Sequence, residues 1–377
     1  MKKETLYLPK RVPRDSNIEF LRIVFMLMIV AHHCIVHSNA APPTERLSLA
    51  LWFLLTAAGK IGVDGFVLIT GYFLADKTYQ RPQSIARFYL QVLFYAIAFL
   101  ILTGASPNTA LHTKLFFPIA GHSWWFASAY FFLMLMAPFI SRALVTLSNR
   151  SFLGLLLVLF AFIILLPTFQ PSFEKNHINV LVFCYCLGAY IRLSPQPSEL
   201  SDTSARFVAV RQLFFRKLLP GLLLIILGVI GILYMPKFEV MVYSITKLNL
   251  NLSSQLGQQT YPISIACAVG MFLFFKNLPI KPSKIINTIA SATFGVYLFH
   301  EQAYAKVLLW DQFFPIEAHL YSTLSMVLHI LSATLIIYAA GTAVDLLRQY
   351  LFEKPLFKAY YCLRRRMDSH NPRSSAS

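Results

Sequence analysis

Stretch after stretch of this chain is apolar for about the length needed to cross a bilayer, and that pattern rules out almost every soluble architecture. A helix rises about 1.5 Å per residue, so a hydrocarbon core about 30 Å thick takes about 20 residues to span. Segments of that character occur near residues 18–38, 49–74, 84–103, 124–147, 151–168, 177–193, 217–235, 259–276, 287–310 and 320–349. Composition agrees, since 57% of the residues are hydrophobic and 13% charged, against about 25% charged in soluble domains. The expectation is an all-α, polytopic transmembrane helix bundle of about ten helices. The second segment is the least regular, because Gly59, Gly62, Gly65 and Gly71 punctuate it and Lys60 and Asp64 lie inside it. A broken or re-entrant course is expected there.

Charge supplies an independent test, because Lys and Arg concentrate in short cytoplasmic loops. With the N-terminus inside, the segments on that side collect Lys2, Lys3, Lys10, Arg11 and Arg14, then Lys77, Arg81 and Arg87, then Arg142 and Arg150, then Lys276, Lys281 and Lys284, and finally Arg364, Arg365 and Arg366. Both termini are therefore expected in the cytoplasm. The net charge of +17 reads as topology and contact with anionic membrane lipids, with no nucleic-acid partner. Residues 1–16 form a basic cytoplasmic segment without a cleavage pattern, 17–350 the transmembrane domain, and 351–377 a basic cytoplasmic tail expected to be disordered. The five cysteines are scattered, so neither disulfides nor a zinc site is expected.

Within the first apolar segment, EFLRIVFMLMIVAHHC, an arginine and a histidine stand eleven residues apart, at Arg22 and His33. Eleven steps of about 100° return to within about 20° of the starting direction while climbing roughly 16 Å, so both side chains share one helix face at different depths. An ionisable group in a membrane helix costs roughly 2.5 kcal/mol or more, and such groups line a bundle interior or cavity. A neutral imidazole takes a proton from a hydroxyl at physiological pH, which makes His33 a candidate general base. Arg22, always charged and nearer the cytoplasm, has the planar fork that receives phosphate or carboxylate. Glu19 lies three residues before Arg22 and can pair with it. His33 and His37 have the i, i+4 spacing of a metal pair, but no third-ligand pattern such as HExxH accompanies them, and no metal is assigned.

Further polar groups fall at 59–72, 121–130 and 293–301. Asp64 is read as a substrate-hydroxyl ligand, as the partner of a cation, or as the cap of a helix break. His300 and Glu301 fall in the middle of the ninth span, and both are candidate substrate-binding residues, His300 read as lining a cavity and orienting substrate rather than packing the core. Trp125 is a candidate sugar-stacking residue, beside Trp124 and His122, although indoles near a membrane interface also serve as anchors.

These motifs together resemble the membrane-bound acyltransferase 3 family. Arg22 and His33 match the family's first-helix arginine, ten intervening residues and histidine. GVDGFVLITGYFL (62–74) is similar to its second-helix segment, with Thr70 where serine is usual. Trp124, Trp125 and Phe126 resemble its fourth-helix aromatic entry, and FGVYLFH (294–300) its late-helix motif ending in histidine. Many members carry two arginines three apart at the start of the third helix; here Ser84 precedes Arg87, with Arg81 as a substitute.

The resemblance implies transfer of an acyl group, most often acetyl from acetyl-CoA, to a hydroxyl of a cell-surface polysaccharide or its lipid-linked precursor, at a bacterial plasma membrane. Acyl-CoA would be a donor substrate held by Arg22 and Arg87, with no permanently bound cofactor. His33 would act on the acceptor as a base or as a transient acyl carrier, with the family's arginine required alongside it. Carbohydrate acceptors and glycan-assembly proteins are the expected partners; an extracytoplasmic esterase-like domain, present in some members, is not expected here. The competing reading is a glycan or small-anion transporter or flippase. It calls for paired broken helices, and only 59–72 suggests one.

Overall fold

A computed structural model describes residues 15–77, 79, 82–104, 117–121, 123–169, 177–194, 217–247, 252, 256, 258 and 260–370, the side chains of 364–370 excepted. Among the described residues there are helices and no strands. Six helices, α1 (Ser16–Val36), α2 (Arg46–Leu74), α3 (Pro82–Leu102), α4 (Trp125–Leu144), α5 (Asn149–Phe169) and α7 (Leu219–Thr246), are each long and apolar enough to cross a membrane. A seventh such segment, Thr323–Leu363, begins with α12 (Thr323–Arg348) and runs on through a π-helical turn, Gln349–Glu353, into α13 (Lys354–His370). Two shorter apolar helices, α6 (His177–Leu193) and α8 (Pro262–Lys276), complete the bundle with a broken segment made of α9 (Lys284–Ala290), α10 (Thr293–His300) and α11 (Ala303–Lys306).

Three expectations change. The glycine-rich second segment is one unbroken helix. Its glycines give other helices room, because a Cβ at Gly59 would run into the His32 ring, one at Gly65 into the Phe25 ring, and one at Gly71 into the Tyr185 carbonyl. In membranes small residues do this, letting backbones approach where lipid provides no hydrophobic drive. The ninth span is the broken one. α10 ends at His300, and Gln302 restarts the chain by accepting hydrogen bonds from the Tyr304 and Ala305 amides at the start of α11. Finally, the segment from 351, expected to be disordered, is helical as far as His370.

α1 and α2 form the centre. In their spanning windows 61% and 67% of residues are buried, against 17% in α7, which faces outward. The base of α1 is pinned: Ser16 Oγ donates to Asn287 Oδ1 (3.0 Å) and accepts from the Ser283 amide (2.8 Å), while Asn17 donates to the Lys276 carbonyl (2.8 Å). These bonds start α1 and α9 at one end of the bundle and fix the height at which α1 presents its polar face.

Candidate active site

Arg22, Met26, Ile29 and His33 follow one another at intervals of three or four along α1, so they form one stripe. The first three line a cavity of about 270 Å³. Its other walls are Val63, Phe66 and Thr70 of α2, Ser84, Arg87, Phe88 and Gln91 of α3, Phe126, Tyr130 and Met134 of α4, and Thr293, Phe294 and Tyr297 of α10. Both arginines therefore face one cavity with an apolar and aromatic interior. His33 is the next stripe residue after Ile29. His300 follows Tyr297 by three positions on α10, so the histidines meet one turn beyond the cavity.

At the arginine end, Arg22 Nη1 stands 3.9 Å from Glu19 Oε1, and its buried Nε has no hydrogen-bond partner among the described residues. Arg87 Nε is ion-paired with Glu353 Oε1 at 3.0 Å, and its guanidinium lies 4.7 Å from the Phe357 ring centre. Thr70 and Tyr130 share a 2.8 Å hydrogen bond in the cavity wall.

At the histidine end the hydrogen bonds set the tautomers. His300 Nδ1 lies 2.6 Å from the Val296 carbonyl, which only accepts, so that nitrogen carries the proton and His300 Nε2 is an acceptor. His33 Nδ1 lies 2.9 Å from His300 Nε2 and therefore donates to it. This assignment rests on the network, and it leaves the lone pair of His33 on Nε2. Glu301 Oε2 supports the same arrangement, at 3.3 Å from His33 Nδ1 and 2.9 Å from His37 Nε2. Its second oxygen accepts from Lys306 Nζ at 3.1 Å. The neighbouring His32 plays a different part, bonding the Leu55 carbonyl at 3.1 Å and packing against Gly59.

His33, His300 and Glu301 also have the N, N, O composition and spacing that could hold a metal ion. In the hydrogen-bonded arrangement, however, the nitrogens facing each other are donor and acceptor.

Other expected residues lie elsewhere. Asp64 is fully buried in unbroken α2, outside the cavity lining and beside Lys60 and Cys184, so it caps no helix break. Trp124 is buried and donates to the Leu298 carbonyl (3.2 Å), bracing α10. Trp125 instead faces His177, with ring centres 4.9 Å apart, and Phe126 lines the cavity. Glu301 leaves the middle of its expected helix for the break after α10, where it reaches His33, His37 and Lys306. His122 and Arg81 lie outside the described residues. Sequence reading missed Tyr297, Tyr130 and Glu353. Tyr297 carried a signal, three positions before His300 on a helix. Glu353 carried none, because its partner is on α3.

The fold and this site define a multi-pass membrane protein in which two arginines line a cavity and a network of histidines and a glutamate lies one turn beyond it. Residues 15–344 match the acyltransferase domain of the acyltransferase 3 family, and the chain belongs to that family. No curated protein and no solved structure matches it.

Proposed function

We propose that this membrane acyltransferase moves an acyl group, acetyl above all, from acyl-CoA to a hydroxyl of a cell-surface polysaccharide or its lipid-linked precursor, at a bacterial plasma membrane. The observation that carries the proposal is the hydrogen-bond chain from Val296 through His300 to His33, which leaves His33 Nε2 unprotonated. On this reading the Arg22 end is cytoplasmic. Arg22 and Arg87 hold the donor's phosphates, and the apolar cavity between them and His33 takes the pantetheine arm.

His33 Nε2 removes the proton of the acceptor hydroxyl. The oxygen attacks the thioester carbonyl, the C–S bond breaks, and the imidazolium returns its proton to the departing thiolate. Glu301 stabilises the imidazolium while it exists. In the alternative route Nε2 attacks the thioester carbonyl, the C–S bond breaks and the thiolate departs, and the acceptor hydroxyl then attacks the acyl-imidazole, breaking the N–C bond and giving up its proton to the thiolate. Incubation with labelled donor and no acceptor separates the two, since only the second route labels His33.

The test of the function is NMR of O-acetyl groups on envelope polysaccharide from cells lacking this protein and from the same cells complemented with wild type or His33→Ala. Acetyl signals restored by wild type alone support the reading. If deletion changes no acyl group, the reading fails and a transporter takes its place.

A further inference from the structure

The π turn Gln349–Glu353 between α12 and α13 is continuous with a chain of charges that ends at the cavity. A π turn adds a residue to a helix and re-aims the side chains beyond it, and such turns recur at functional sites. Here the contacts around it converge on Arg87. Glu353 is ion-paired with Arg348 Nη1 at 2.9 Å and with Arg87 Nε at 3.0 Å. Arg348, itself buried, donates from Nε to Asp345 Oδ1 at 2.8 Å. Asp345 is fully buried and also accepts from Gln91 (3.0 Å), Tyr95 (3.2 Å) and Gln349 (2.9 Å). Asp345, Arg348, Glu353 and Arg87 thus alternate in sign from the bundle interior to the cavity wall. One turn past Glu353, the Phe357 ring covers the Arg87 guanidinium, and Phe352 rests on Phe94 of α3 with ring centres 5.1 Å apart.

The Arg87 side chain is 52% exposed, and a long exposed cation in a lone surface pair samples many geometries and gains little. Arg87 is held differently: Nε is engaged by a glutamate that is itself anchored, and one face is stacked. The two terminal nitrogens have no partner among the described residues. Two parallel N–H donors in a fixed plane are the bidentate receptor for a phosphate.

We propose that Glu353 and Phe357 are positioning residues, which set the plane of Arg87 so that its free edge receives a phosphate of the acyl donor. The residues after α12 thereby complete the donor site. This rests on the reading of Arg87 as a donor ligand.

The test measures binding of coenzyme A and of phosphate-free pantetheine to the purified full chain, by calorimetry and competition, in wild type, Arg87→Ala, Glu353→Gln, Glu353→Asp and Phe357→Leu. The readout is the ratio of the two affinities within one preparation, so loss of folded protein cancels. Glu353→Gln and Phe357→Leu should cut the advantage of coenzyme A by about fivefold to tenfold, the size of effect expected when a charge-assisted contact is misaligned. Glu353→Asp should keep part of that advantage, and Glu353→Gln should add little to Arg87→Ala. If Arg87→Ala cuts the ratio while Glu353→Gln and Phe357→Leu leave it intact, the positioning inference is overturned and the donor reading stands. If Arg87→Ala also leaves it intact, the donor reading falls and takes the inference with it.

Discussion

The two polar groups of α1 are held in opposite ways, Arg22 in the cavity wall and His33 one turn beyond it. At Arg22 the polar group is part-exposed and loosely held, with the Glu19 carboxylate 3.9 Å away. At His33 the side chain is nearly enclosed, and its neighbours His300, Glu301, His37 and Lys306 hold one another at 2.9–3.3 Å. An end that must admit a large anion keeps its donors free. An end that must place a lone pair within ångströms of a reacting atom spends neighbours on orientation. On the proposed function, the contrast corresponds to affinity at the arginines and rate at the histidine network.

The largest expected effect breaks the rate end. His33→Ala should lower transfer of labelled acetyl from acetyl-CoA to envelope acceptors in membrane vesicles by about 1,000-fold, within the range of general-base catalysis. Glu301→Gln keeps the shape and removes the charge that supports a protonated His33, so kcat should fall about 100-fold with the donor KM nearly unchanged; an equal rise in KM would mean that Glu301 contacts the donor. Arg22→Ala should act the other way, raising the donor KM about tenfold and changing kcat less. Smallest of all is the effect of chelator: dialysis against EDTA should leave turnover as it was, whereas loss of activity restored by a divalent ion would turn the His33, His300 and Glu301 group into a metal centre.

The stripe from Arg22 to His33 was legible because helical period alone puts residues eleven apart on one face. His300 and Glu301 were legible as polar residues in an apolar run, but the break beside them was not. Neither Gly nor Pro marks it, and the cap that restarts the helix is the side chain of Gln302. Gly59, Gly65 and Gly71 were misleading for the opposite reason. In water such residues loosen a helix, whereas here each is a close-approach point against α1 or α6. Asp64 was drawn into the site by its glycine neighbours, although its side chain lies outside the cavity wall. The Arg87–Glu353 contact joins α3 to the turn after α12, and no local pattern in either segment announces it.

The most direct measurement compares Arg22→Ala and His33→Ala, purified side by side, reading acyl-CoA affinity by calorimetry and acetyl transfer to envelope acceptors on the same samples. The division of labour predicts that Arg22→Ala binds donor about tenfold more weakly, while His33→Ala binds it like wild type and transfers almost nothing. Donor binding lost in His33→Ala but kept in Arg22→Ala, or transfer at the wild-type rate without His33, would contradict it.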